Sequence, residues 1–304
     1  MVTFVDGPVR VSVPATSANL GPGFDSLGLA LSLRDELEAE VTGSGLAVEV
    51  EGAGSWSVPL DESHLVVRSM RAAFEAMGAR PPGLRLSCSN VIPHGRGLGS
   101  SSAAIVAGVS LARGLVAGGS LLVSDEALFD LAARIEGHPD NVAPAFYGGF
   151  AISGRDDDGF YAVHSAVDPR VGAVVFVPPT PVATEVARGL LPAEVPHADA
   201  AADAGCTALL VAALAGQPEQ LFRATRDFLH QDYRRAAMPE SLALVDALRA
   251  DRVAAVVSGA GPTVLAFADG PGAAAAEPDR LLARCPDGWL SYHLAVDREG
   301  ARLT

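Results

Sequence analysis

The sequence predicts an α+β protein in two domains. Strand-like and helix-like stretches are mixed without the regular alternation of a doubly wound sheet. The chain has 304 residues, enough for two separate cores. Gly154–Gly159 (GRDDDG) reads as a polar turn and places the division near residue 160, giving domains 1–160 and 161–304.

The elements follow from local patterning. Val9–Val13 alternates apolar and polar residues, Leu27–Leu33 is mainly apolar, and Leu46–Glu51 alternates again, so all three read as strands. Leu84–Ile92 reads as the strand that feeds a glycine-rich stretch. Ser100–Val116 and Glu126–Glu136 carry a helical pattern. Strand character returns at Phe150, and Val171–Val177 is apolar throughout, as a buried strand is. Ala200–Ala215, Pro218–Leu229 and Pro239–Ala250 read as helices separated by proline or glycine breaks. Ala254–Val257 and Val264–Ala268 are strands around a glycine turn, and Leu290–Val296 is the last strand. The alanine-rich tracts Ala198–Ala204 and Ala273–Ala276 read as helix or loop filler.

Composition narrows the function. Hydrophobic residues make up 49%, as in folded globular chains. The net charge is −14 with no dense basic run, which argues against nucleic acid and anionic membrane as partners. The N-terminal residues lack the apolar run of a signal peptide, and no stretch of about 18 uninterrupted apolar residues suggests a membrane span. Cys88, Cys206 and Cys285 are far apart and never in a C-x-x-C pair, so a reducing, cytoplasmic setting is expected, without a disulfide frame or zinc site. All 22 basic residues are arginine. Without lysine, a Walker-type phosphate loop, a protein-kinase site and Schiff-base chemistry are excluded.

The stretch PHGRGLGSSSAA (Pro93–Ala104) carries the most chemistry. Gly95, Gly97 and Gly99 permit positive φ and close approach to a ligand. Ser100 stands where a helix N-cap would, and the free amides and dipole of a helix start favour a phosphate. Arg96 adds local positive charge. A dinucleotide fingerprint would need glycine where Ser100 stands. A tight strand–helix turn with a serine cap is the alternative to phosphate binding.

Pro93–Ala104 resembles the second motif of the GHMP kinase family. VPATSANLGPGFDSLGLAL (Val13–Leu31) is similar to the first motif as the homoserine kinase branch carries it, and SGAGPTVLAF (Ser258–Phe267) resembles the third. EGHPDNVAPAFYGGF (Glu136–Phe150) also resembles that branch. The motifs keep their order and span almost the whole chain. The resemblance implies an N-terminal domain like domain 2 of ribosomal protein S5 and a ferredoxin-like C-terminal domain. It implies ATP and magnesium (Mg2+), L-homoserine as phosphoryl acceptor in threonine biosynthesis, and a homodimer.

Roles follow from the same resemblance. Pro93, His94, Gly95, Arg96, Gly97, Leu98, Gly99, Ser100, Ser101 and Ser102 would wrap the ATP phosphates, with Ser258, Gly259 and Gly261 reaching in from the third motif. Ser101 would ligate magnesium, and Asp130 or Glu136 would complete the metal site. Magnesium keeps several waters, so few protein oxygens suffice. Asn19 and Asp25 match positions that bind the amino-acid end, and His138 matches a substrate-side position. Arg188 and Arg234 would take the carboxylate in bidentate fashion, with Arg235 facing elsewhere. Thr184 would line the phosphoryl site. Asn141 is an amide and no base, so it would orient the hydroxyl while magnesium, Arg96 and loop amides stabilise transferring charge. Asp140 as base is the alternative. A mevalonate-type kinase, a non-catalytic ATP-binding sensor and a dehydrogenase are the rival readings. The amino-acid-shaped set Asp25, Arg188 and Arg234 argues against the first, the intact motifs against the second and Ser100 against the third.

Overall fold

The computed structural model describes residues 2–269 and 276–304. The first domain holds strands β1 (Val9–Asn19), β2 (Gly23–Thr42), β3 (Gly45–Gly52), β4 (Gly83–Asn90), β5 (Phe150–Arg155) and β6 (Phe160–Ser165). Its helices are α1 (Leu65–Ala76), α2 (Ser100–Leu115), α3 (Gly119–Leu122), α4 (Asp125–Glu136) and α5 (Val142–Tyr147). The second holds β7 (Val171–Val177), α6 (Thr184–Gly189), α7 (His197–Gly216), α8 (Leu221–Ala224), α9 (Pro239–Ala250), β8 (Ala255–Val257), β9 (Val264–Asp269), α10 (Ala276–Leu282) and β10 (Leu290–Ala295). A last strand, β11 (Arg302–Leu303), ends the chain.

β2 organises the first domain because its 20 residues give it room for three partners. It pairs with β1 along most of its length, with β4 through Glu36–Thr42 and with β5 through Leu27–Leu29. The β1–β2 ladder shifts register between Pro14 and Ala15 and between Ala18 and Asn19. Proline has no N–H to give the ladder, so the first irregularity falls where the chain cannot pair evenly. α2 lies across this sheet. Ile105, Val106, Val109 and Leu111 have at most 1% exposure, and a helix apolar on nearly every side must be buried. Its N-terminus is thereby fixed at the sheet's end, where the site forms.

The second sheet has the order β10–β7–β9–β8, every neighbouring pair antiparallel. Numbered within the domain this is 4-1-3-2, the expected ferredoxin-like arrangement. β7 is buried along its whole length, which is why it reads as an unbroken apolar run.

Three expectations change. Asp156–Gly159 is the turn of the β5–β6 hairpin, and the first sheet continues past residue 160 to Ser165. β11 pairs with β1, so the chain's end returns to the first sheet. The helix expected over Pro218–Leu229 stops at Ala224, because the Asp227 carboxylate accepts the amides of Leu229, His230 and Gln231 and draws them into a tight turn. Of the alanine-rich tract Ala273–Ala276, residues 273–275 lie outside the described residues. Among the described residues one helix, α7, is long and apolar enough to cross a membrane by length and composition. Its Asp203 is buried and accepts the Phe228 amide, and its Thr207 hydroxyl donates to Pro22 O.

Arg34 fastens the returning chain end. Its Nε donates to Ser12 Oγ (2.7 Å), its Nη2 to Ser12 O (2.8 Å) and Gly300 O (2.7 Å), and its Nη1 to Asp297. Asp297 Oδ1 accepts the amides of Glu299 and Gly300, both at 3.0 Å. Asp297→Ala would leave a largely buried guanidinium without its counter-ion, at a cost of about 3 kcal/mol. Urea unfolding checks this; a loss below about 1 kcal/mol would show that the clasp is not structural.

Candidate active site

The site forms where three backbone turns meet. The chain after β4 passes Gly97 and Gly99 at φ 77° and 70° before entering α2. A Cβ on Gly97 would stand 2.2 Å from Ser258 O, and one on Gly99 would stand 1.9 Å from Thr16 Oγ1. Glycine is needed at both for space as well as conformation. The turn after β1 places Asn19, Leu20 and Asp25 at positive φ (67°, 53° and 54°). Asn19 stabilises it: Nδ2 donates to Gly259 O (2.9 Å), and Oδ1 accepts the Asp25 amide (3.0 Å). The third turn lies between β8 and β9. Ser258 Oγ donates to Gly97 O (2.6 Å), Gly259 N donates to Ala18 O (3.0 Å), and Thr263 N donates to Arg96 O (3.2 Å).

A polar cavity of about 240 Å³ opens between the turns. Gly95, Gly97, Gly99, Ser100 and Ser101 line it from the first motif, and Gly259 and Gly261 from the third. Asn19, Glu136, His138, Asp140 and Asn141 line it from the first domain; Thr184, Arg188 and Arg234 line it from the second. Other expected residues stand behind its wall. Leu98 and Ser102 are buried, and Ser258 acts as a strut between the loops. Pro93 and His94 face a separate cavity of about 570 Å³ with Trp56 and Tyr292.

Three expected roles meet a different geometry. Gly99, not Ser100, is the N-cap of α2, and no side chain caps it. Ser101 Oγ and Ser102 Oγ instead both donate to Glu136 Oε1 (2.6 and 2.8 Å), so the helix amides stay open toward the cavity. Asp130 does not reach Ser101. It bonds Arg134 Nε (2.6 Å) one turn along α4 and accepts the Phe160 amide (2.9 Å), which fastens β6 to the helix. Of the two open carboxylates, Glu136 is the one the fold brings to the serines. Arg96 lines the cavity, but its guanidinium is held elsewhere. Nε donates to Pro178 O (2.9 Å), Nη1 to His94 O (3.1 Å) and Nη2 to Pro179 O. Its donors tie the glycine loop to the segment after β7.

The charged groups fall into two sets. Asp25 and Arg188 form a bidentate pair (2.9 and 2.5 Å), each about one-third exposed. Arg234 is 1% exposed and has no carboxylate partner among the described residues. Its Nη1 donates to His230 Nδ1 and Gly259 O, both at 3.1 Å, and its Nε has no partner. Burial, with Arg188 nearby, lowers its pKa to about 10. The second set is His138 and Asp140. His138 Nδ1 meets Asp140 Oδ1 at 2.8 Å, and the same oxygen accepts the Asn141 amide (3.0 Å). Burial opposes a charge on His138, yet the Asp140 bond and charge prevail and raise its pKa.

Sequence reasoning passed over several residues here. Thr16 Oγ1 bonds Asn141 Oδ1 (2.8 Å) and so leaves the Asn141 Nδ2 as the group offered to the cavity. The Phe24 ring lies under both Arg188 (5.4 Å) and Arg234 (5.6 Å), measured to its centroid. Both residues sit inside the quoted first motif, so the signal was present. A second cavity of about 340 Å³ shares Gly95, Ser100 and Ser101 with the first and continues between Leu37, Pro59, Leu65 and Cys88. His64 faces it, 5% exposed and with Nδ1 unpartnered.

Known proteins resemble this chain throughout. The family model for the GHMP kinases N terminal domain matches residues 64–149, and that for the GHMP kinases C terminal matches residues 209–287. The homoserine kinase of Streptomyces coelicolor is 54% identical over 295 residues, 97% of this chain and 94% of its own. That of Clavibacter michiganensis is 49% identical over 97% of this chain and 93% of its own. The crystal structure of homoserine kinase from Cytophaga hutchinsonii superposes with a TM-score of 0.83 at 26% identity, covering 98% of this chain and 97% of that one.

Asp35 lines the 340 Å³ cavity and accepts the amides of Val91 (2.7 Å) and Ile92 (2.9 Å). Burial outweighs those bonds and raises its pKa from 3.8 to about 6. The folded protein therefore holds this proton more tightly than the unfolded chain, and stability falls as pH rises from about 4 to about 6. Asn keeps an acceptor for both amides without the charge. Asp35→Asn should raise stability at pH 8 by up to ~3 kcal/mol and leave it nearly unchanged at pH 4. Equal effects at both pH values in urea unfolding would disprove the assignment.

Proposed function

The chain belongs to the homoserine kinases of the GHMP kinase family, and from that premise we propose how its cavity moves a phosphoryl group from ATP to the side-chain hydroxyl of L-homoserine. The observation that carries the reading is Arg234. A buried guanidinium with an unpartnered Nε and no ion-pair partner among the described residues, on the wall of the glycine-loop cavity, calls for an anionic end on the acceptor. Homoserine supplies a carboxylate there, with Arg188 as the second cation. Its ammonium goes to Asp25. Mevalonate has a carboxylate but no ammonium for Asp25, so the site favours the amino acid.

The triphosphate takes the open amides of α2 and the backbone of Gly95–Gly99, where the dipole favours an anion. The apolar second cavity, continuous with Ser100 and Ser101, takes the base. The Ser101 and Glu136 oxygens, 2.6 Å apart, are hard donors that suit magnesium, with Ser102 behind them. When bound, the metal neutralises charge on the phosphates. Asn141, oriented by Thr16, can donate from Nδ2 to the acceptor hydroxyl oxygen, which turns that hydroxyl's own proton toward the transferring phosphoryl oxygens. Those oxygens take it up as the new O–P bond forms and ADP leaves. No side-chain base is required, because phosphoryl transfer runs on positioning and charge stabilisation. Asp140 is engaged with His138 and the Asn141 amide, and its carboxylate holds both in place. Arg96 contributes by fixing the loop to the second domain.

ADP release from MgATP should rise with L-homoserine and stay at the blank rate with mevalonate, galactose or no acceptor. Homoserine giving no increase over the blank would overturn the reading. Glu136→Gln should raise the magnesium concentration for half-maximal turnover about tenfold or more, with the melting temperature little changed. An unaltered magnesium requirement would remove Glu136 from the metal site.

A further inference from the structure

We propose that His230, outside the cavity wall, is a positioning residue that aims Arg234 at the acceptor carboxylate. The proposal rests on the reading of Arg234 as the carboxylate ligand. His230 is fully buried in the turn that ends the helical run before it. Its Nε2 lies 2.8 Å from Gly21 O, and a carbonyl can only accept. The proton therefore sits on Nε2, and Nδ1 is left as a lone pair. That lone pair accepts from Arg234 Nη1 (3.1 Å). The opposite tautomer, or a protonated ring, would put N–H against N–H.

Each neighbour supports this orientation. The Asp227 carboxylate binds the Leu229 (2.8 Å), His230 (3.3 Å) and Gln231 (2.7 Å) amides and fixes the turn. Gln231 Oε1 accepts the Val257 amide (2.6 Å), tying that turn to β8 beside the third glycine loop. The Phe24 ring stacks on the imidazole at 5.4 Å between centroids and 30° between planes. Arg234 Nη1 thus has two acceptors, the imidazole and Gly259 O, both on protein. They fix the plane of the guanidinium on the cavity wall. Without the imidazole acceptor one anchor is lost and the fork can swing.

The test uses the full-length protein with two acceptors, L-homoserine and L-homoserinamide, whose carboxamide has no charge. His230→Phe keeps the stack on Phe24 and removes the acceptor; His230→Gln keeps an acceptor. Loss of an acceptor for a charged group corresponds to a factor of about ten or more. His230→Phe should raise KM for L-homoserine about tenfold, with kcat and KM for ATP changed less than about threefold and kcat/KM for L-homoserinamide less than about twofold. His230→Gln should recover most of the KM. Comparing two acceptors on one protein sample removes any difference in folded fraction. Equal effects of His230→Phe on both acceptors, or no recovery with His230→Gln, would overturn the proposal. Arg234→Gln separates the two claims. If it affects both acceptors alike, the reading of Arg234 itself fails; if it discriminates and His230→Phe does not, only the role of His230 falls.

Discussion

The site depends on two loops packed closely against each other at a glycine. Gly97 meets the turn at Ser258–Gly261, and the contact is held by Ser258 Oγ on Gly97 O and by Thr263 N on Arg96 O. A Cβ on Gly97 would collide with Ser258 O. The contact brings Asn19 to Gly259 and Arg234 to the same carbonyl. The glycine loop and the Arg234 end of the cavity are therefore set by one docking of loop on loop. Hydrogen bonds between backbone groups are directional, and interior packing yields little, so small errors there would spread to every cavity wall.

A chain of net charge −14 concentrates local positive potential at this cavity. The positive groups are few and held close together. Arg188 is balanced by Asp25 at the cavity's rim, Arg234 is buried without an ion-pair partner among the described residues, and both lie over Phe24. The ring face is weakly negative and apolar, so it supports two guanidinium groups without offering either a competing carboxylate. Elsewhere the cavity offers amides and the helix dipole, which bring positive potential without net charge.

Much of this was legible in the sequence because the three motifs are the places where local chemistry dictates geometry. Alternating glycines, Asn19 and Asp25 within the first motif, and the apolar run of β7 each leave a mark on a few neighbouring residues. What was not legible depends on distant partners. Ser100 has the composition of a cap, yet tertiary packing gave that place to Gly99 and turned Ser101 and Ser102 toward Glu136. Asp130 and Glu136 look alike on one helix, and only the position of β6 and its Phe160 amide separates them. Arg96 looked like a phosphate ligand because nothing local reveals the carbonyls of Pro178 and Pro179. GRDDDG has a linker's composition, and a hairpin turn needs the same residues. Pro218–Leu229 kept a helical pattern that the Asp227 side chain overrode.

The return of the chain end to β1 changes the mechanics of the cleft. The chain crosses from the first sheet to the second between Ser165 and Val171, and crosses back between Ala295 and Arg302. Two polypeptide tethers link the domains where a single linker would allow free rotation. Cutting one of them leaves the halves joined by the other and by cross-domain contacts such as Gly97 with Ser258, Asp25 with Arg188 and Pro22 with Thr207. Any widening of the cleft has to bend both connections, which a free swing about a single linker would not require.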